Sequence, residues 1–166
     1  DIAYRQIEPG PLPFPDRSFD HVFTHAAIIH VPDKEAMFTE IHRVLRPGGW
    51  LLAYDWLKGT EPYSADMHRW FELEGLTYAM DHLDNYLEIL GGVGLTDGSG
   101  EDVNEEYRAM AHLKYRRMIG EDHDRMTELL GPSRRDHFTE DWRMLTVVLD
   151  NGELRPAYFR GRKRST

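Results

Sequence analysis

Apolar positions along the chain fall into runs with different periods. In "FDHVFTHAAII" (19–29) nearly every position after Val22 is apolar, and β-branched and aromatic residues dominate. Such a run predicts a strand covered on both faces. "PDKEAMFTEIHRVL" (32–45) instead brings Met37, Phe38, Ile41, Val44 and Leu45 back at helical spacing. Asp33 stands where an N-cap belongs, acids come early, and Arg43 and Arg46 come late, as the helix dipole favours. Pro47 cannot continue the helix, and Gly48 offers a left-handed stop. "WLLAYDWL" (50–57) then predicts a second buried strand. Strand, short loop, helix, Pro-Gly-Gly turn and strand make a βαβ crossover, which joins parallel neighbours in one right-handed sense. Ligands in such folds sit beyond the carboxyl ends of the strands. Here those ends are Thr24 to Ala26 and Tyr54 to Trp56.

Before this unit, "IAYRQI" (2–7) alternates loosely, as part of a strand would. "EPGPLPFPD" carries four prolines and predicts a rigid extended loop. After Leu57 the period is helical: "SADMHRWFELEGL", "DHLDNYLEIL" with Asp81 as its cap and Gly91 as its stop, "VNEEYRAMAHLKYRRMI", "EDHDRMTELL" and "RRDHFTEDWRMLTVVL". Met110, Met118, Met126 and Met144 recur there as core filling rather than as a site. "AYFRGR" near the end predicts a closing strand. The glycines of "GGVGLTDGSG" (91–100) mimic a cofactor loop, but such a loop follows a strand and opens a helix. This one follows a helix, so it reads as a helix stop and a flexible connection.

Composition narrows the function classes. The chain has 166 residues, enough for one domain, and a net charge of −9, which argues against a general nucleic-acid binder. The tail "FRGRKR" reads as a solvated basic end. No apolar run approaches the length needed to span a bilayer. There is no cysteine, hence no disulfide framework, thiolate metal site or cysteine nucleophile. This suits a cytoplasmic protein. His25 and His30 are five apart and no His-Glu-x-x-His pattern occurs, so no metal is expected.

Four features stand in one register: Leu12 to Phe14, the pair Phe19–Asp20, His30 to Asp33, and Leu45 to Gly49. Together they resemble the middle of class I S-adenosylmethionine-dependent methyltransferases. "LTYAMDHLDNYLEIL" (76–90) and "DWRMLTVVLDNGELRPAYFRGRK" look like the small-molecule N-methyltransferases around phosphoethanolamine and sarcosine/dimethylglycine methylation. The implied fold is α/β, a partial Rossmann-like sheet with a helical insertion or cap. The expected organisation is a single domain over 1–166, the C-terminal two-thirds of such an enzyme. It divides into a βαβ core (1–57), a mostly helical substrate-side region (58–150) and a closing strand with a basic tail (151–166). The family's Gly-x-Gly-x-Gly loop and ribose-binding acid are not in this sequence.

The resemblance implies S-adenosyl-L-methionine as cofactor and a small-molecule amine or amino-acid-like substrate, with no nucleic acid or membrane partner; a homodimer is compatible with it. It implies that Glu8 accepts a hydrogen bond from the adenine, that the backbone beside Pro9 meets the ring, and that His25 and Ala26 touch the methionine part. His30 would be catalytic, orienting or deprotonating the substrate, since an imidazole takes up protons near physiological pH; histidine at this place also serves as helix-start packing. Tyr78 and Trp56 would face the substrate, where an aromatic ring can hold a methylated ammonium. Two positions depart from the phosphoethanolamine pattern: Ala26 replaces an aspartate and Leu76 an arginine. An incomplete, non-catalytic fragment completed by another segment or chain is the alternative. A nicotinamide-dependent oxidoreductase shares the βαβ logic but not the Phe-Asp and Pro-Gly-Gly register.

Overall fold

A computed structural model describes residues 3–7 and 10–165. These group into two compact units. One comprises residues up to Leu57, Tyr78–Glu101 and Ala157 onward; the other comprises Lys58–Thr77 and Asp102–Pro156.

In the first unit, strand β1 (Phe19–His25) runs parallel to β2 (Leu45–Lys58), joined through a 3₁₀ turn (Ile28–His30) and helix α1 (Lys34–Val44). The crossover expected from the hydrophobic pattern is therefore present. The sheet continues through β4 (Leu154–Lys163) to β3 (Leu95–Asp102), in the order β1-β2-β4-β3. Helices α1 and α3 (Leu83–Gly92) supply Phe38, Ile41, Tyr86 and Leu90 to a core with Leu51, Ala53 and Leu57 of β2 and Phe159 of β4. Phe38, Tyr86 and Phe159 meet edge to face, with ring centres 5.2–6.2 Å apart. This geometry suits the aromatic quadrupoles.

The Pro-Gly-Gly segment has a different role from the one the pattern suggested. Helix α1 stops at Val44, before Pro47, and Leu45 is already extended with its amide on the Ile41 carbonyl. Lys163 Nζ donates to the His42 and Leu45 carbonyls at 2.6 and 2.9 Å, satisfying the helix end that a glycine cap would otherwise serve. The two glycines act in the strand. Register jumps from Phe19↔Leu45 to His21↔Trp50, so residues 46–49 are taken up as an irregularity in β2. Gly48 has φ +81°, and a Cβ on Gly49 would lie 2.7 Å from the Asp20 carbonyl oxygen. Helix start and N-cap match the expectation: Asp33 accepts from the Ala36 amide at 2.9 Å.

Other expectations are corrected. Residues 3–7 have no regular structure rather than a strand. The first long strand ends at His25, because Ala26 is left-handed (φ +48°) and turns the chain; Ile28 and Ile29 are buried in the 3₁₀ turn, not in the strand. Nor is β1 covered on both faces: Phe23 is 69% exposed. It lies at the sheet's edge, and α1 and α3 cover the opposite face from Phe23, Leu52 and Tyr158, which all stay exposed. The glycine-rich run continues into β3 rather than a flexible connection. Its Leu95 is buried, Thr96 Oγ1 donates to the Arg162 carbonyl at 3.2 Å, and Arg160 Nε donates to Ser99 Oγ at 2.9 Å. The bonds that make it a strand come from β4, which no local pattern in residues 91–100 encodes. Helix α3 is capped one residue later than expected, at His82; Asp81 instead accepts from the His82 amide and Asn85 Nδ2, both at 2.8 Å. The helix runs on through Gly92.

The second unit is helical: α2 (Ala65–Glu74), α4 (Asn104–Ile119), α5 (His123–Leu130) and α6 (Pro132–Asp150), with α6 packed against the other three. Ser64 caps α2 through the Met67 amide and is itself gripped by both carboxylate oxygens of Glu153, at 2.6 and 2.8 Å. Among the described residues no helix is long and apolar enough to cross a membrane.

Candidate active site

The site lies in the first unit, at the carboxyl ends of β1 and β2. Their parallel pairing sets His25 opposite Tyr54, and the two rings stack with centres 4.8 Å apart at 25°. Tyr54 also meets the Tyr158 ring at 5.2 Å and accepts on its hydroxyl from the Trp56 indole N–H at 3.3 Å. Ala26 donates its amide to the Tyr54 carbonyl at 2.9 Å. Holding a non-glycine residue left-handed costs on the order of 1–3 kcal/mol, so the sharp exit from β1 is a built feature. It carries the chain across the tip of β2 rather than away from it.

Past Ala26 the 3₁₀ turn is fixed from three sides. Asp55, 1% exposed and just past the last residue of β2 that pairs with β1, accepts from the Ile29 amide at 2.7 Å through Oδ2 and from the Trp56 amide at 3.0 Å through Oδ1. Lys34, in the first turn of α1 and 5% exposed, donates Nζ to the Ile28 and Val31 carbonyls at 2.8 and 2.5 Å. The Ile29 carbonyl accepts from the Ala79 amide at 2.8 Å, which ties the segment before α3 to the turn. Through that tie the His30 imidazole comes to lie on the Tyr78 ring, centres 5.1 Å apart and 33° between planes.

Burial dominates the electrostatics. It pushes the Asp55 carboxyl up to about 6, against the opposing pull of the Trp56 and Ile29 amides and of Lys34 and His30. Burial likewise depresses the Lys34 ammonium, while Asp55 and Asp81 hold it up. The Tyr86 phenol, buried beneath and facing the same two carboxylates, is raised well above the ordinary range. Asp55 and Lys34 therefore stand together in the low-dielectric floor of the site, where burial works against both charges and each offsets part of that cost for the other.

Of the residues singled out from sequence, His25, Ala26 and Trp56 gather at the strand ends, and His30 and Tyr78 form a second pair on the adjoining turn. Glu8 and Pro9 lie outside the described residues. The loop that follows them is firmly seated: Arg43 donates to the Leu12 and Phe14 carbonyls, both at 2.9 Å, and to Asp16 at 2.7 Å, and Glu40 accepts from the Leu12 amide at 2.7 Å. The Arg43 guanidinium, in turn, holds the Glu40 carboxyl below its usual range. The sequence reading missed the parts played by Asp55, Lys34 and Arg43. A signal for the first was present, since a carboxylate closing an unbroken apolar run must find partners or pay for its desolvation.

Comparison with known proteins agrees with this architecture. Residues 2–53 match the methyltransferase domain family. The 27-O-demethylrifamycin SV methyltransferase of Amycolatopsis mediterranei is 35% identical over 109 residues, 64% of this chain and 40% of that protein. Phosphoethanolamine N-methyltransferase 1 of Arabidopsis thaliana is 30% identical over 94 residues, 57% of this chain and 19% of that protein. The chain thus spans less than half the length of these curated relatives. Among solved structures, phosphoethanolamine N-methyltransferase 2 of Haemonchus contortus, in complex with phosphomonomethylethanolamine and S-adenosylhomocysteine, superposes with a TM-score of 0.83 at 22% identity. It covers 91% of this chain and 34% of that one. That identity speaks for the fold alone. Strand-end geometry, sequence register and these comparisons agree: residues 2–53 match the methyltransferase domain family, and the chain has the fold of the superposed methyltransferase.

Proposed function

We propose that the protein is an S-adenosylmethionine-dependent methyltransferase that methylates the nitrogen of a small amine or amino-acid-like substrate. The observation that carries this reading is the His30–Tyr78 pair at the turn that follows β1, an imidazole beside a phenol ring. A sulfonium donor supplies an electrophilic methyl group for in-line displacement, so the protein has chiefly to align the partners and exclude water. The residues present fit such a donor. Ala26 and the exposed Ala27 put only methyl groups at the strand exit, and the exposed His25 ring lies beside it. Glu8 and Pro9 would serve the nucleoside end, and His25 and Ala26 the methionine end.

At the acceptor, the exposed His30 imidazole takes the proton an ammonium must lose before its lone pair can attack. Tyr78 and Trp56, both half-buried, present aromatic surface that suits the cation before and after transfer. Two departures from the phosphoethanolamine pattern speak against phosphoethanolamine itself: Ala26 brings no carboxylate to meet its amine, and the sequence has Leu76 in place of the arginine expected to meet its phosphate.

The test is methyl transfer from labelled S-adenosylmethionine to matched amine, hydroxyl and carbon acceptors. Labelled product with the amines, lowered at least tenfold by His30→Ala, is the expected result. Transfer confined to hydroxyl or carbon acceptors would sink the assignment to nitrogen.

A further inference from the structure

The turn that carries His30 is held by two buried side chains of opposite charge, arriving from different elements. A single 3₁₀ turn has few internal bonds, and its end groups are commonly left to water. Here Asp55 of β2 takes the Ile29 N–H, and Lys34 of α1 takes the Ile28 and Val31 carbonyls. Ala79 takes the Ile29 carbonyl, and the turn's own bonds run from His30 to Ala27 and from Val31 to Ile28, at 3.2 and 2.9 Å. Burying two ions is an expensive way to stabilise a fold, and well-packed neutral residues commonly do it as well or better. What charged groups add is direction, because an ion fixes the dipoles around it far more tightly than an apolar contact does.

We propose that Asp55 and Lys34 are positioning residues that lock the Ile28–His30 turn between them and thereby aim the His30 imidazole along the Tyr78 ring. The proposal rests on the role given to His30 above. It goes beyond that role in naming the two residues, neither in contact with the acceptor, on which the imidazole's orientation depends. Around Asp55 the charged and titratable groups are Lys34 from α1, His30 from the turn and Tyr86 from α3, with Asp81 acting on Lys34 and Tyr86 from just before α3. The lock is set while the carboxyl is ionised, and it loosens as the pH falls through the Asp55 titration near 6.

Nuclear magnetic resonance on the chain without donor or acceptor tests this separately from methyl transfer. In the unmodified chain the Ile29 amide shift is expected to titrate with a midpoint near pH 6, and the His30 ring protons to show a shift from the neighbouring Tyr78 ring. Asp55→Asn should abolish the amide titration. Asp55→Asn and Lys34→Met should each remove at least half of the His30 ring shift, while cross-strand contacts between β1 and β2 persist. Lys163→Met, which removes an equivalent ammonium from the other end of α1, should leave the His30 shift intact. A His30 shift unchanged in both site variants overturns the proposal, as does an Ile29 titration that survives Asp55→Asn. Should Asp55→Asn fail to fold, Lys34→Met and the titration of the unmodified chain still decide. Loss of methyl transfer with these signatures intact would count against the proposed activity, not against the lock.

Discussion

Single residues do more specific work here than their types announce. Gly49 lies where a Cβ would meet the Asp20 and Arg46 carbonyl oxygens at 2.7 and 2.9 Å, and both obstacles are backbone. Gly49→Ala should therefore cost about 1–3 kcal/mol, the scale of overpacking, read as a lower urea midpoint at unchanged slope. An unchanged midpoint would mean that the strand irregularity at 46–49 yields freely. The Pro-Gly-Gly turn was legible as a break in the sequence, but its purpose was not, because Gly49's constraint comes from Asp20 in another strand. Asp33 was legible as a cap since its partner, the Ala36 amide, is three residues away. Asp55 was not legible as a clamp, because its partner Ile29 is 26 residues away. The rule is physical: local bonds leave local signatures, and long-range ones leave only an unexplained polar residue in an apolar run.

Among the elements, the same division separates what could be read from what could not. Helices α1, α2 and α6 follow their own apolar spacing, with caps at Asp33 and Ser64. Strand β3 has no apolar alternation beyond Leu95 and exists through β4, so its sequence resembles a loop. Between α2 and α6 lies a buried carboxyl, Asp141. Burial first, then the nearby Glu74 carboxylate, push it up to about 7; its Oδ1 has no hydrogen-bond partner among the described residues. The folded state therefore holds this proton more tightly than the unfolded chain, whose aspartate titrates near 3.8. Stability from this group is greatest below the unfolded value of 3.8 and is lost as the pH rises from there through the folded value of about 7. Asp141→Asn should raise the stability of the chain at pH 8 by about 2 kcal/mol and do little at pH 4. Urea unfolding at the two pH values measures it. Equal effects at both would show that the carboxyl is ionised in the fold throughout.

At the scale of the whole molecule, the order β1-β2-β4-β3 turns one sheet face onto α1 and α3 and aligns the ends of β1 and β2 in a common rim. The crossover and its rim were readable from residues 19–57, since both periods and the turn between them lie in one continuous stretch. Apposition of His30 and Tyr78 followed from likeness to relatives rather than from any spacing, because 48 positions separate them. The central claim is that this rim holds a sulfonium donor, and the most direct measurement is a titration of the isotopically labelled chain with S-adenosylmethionine, followed by amide shifts. Saturable changes are expected at His25, Ala26, Asp55 and Trp56, with α4 and α5 unmoved. Saturable binding that leaves those four amides still and moves residues elsewhere, or no response at millimolar donor, would contradict that claim.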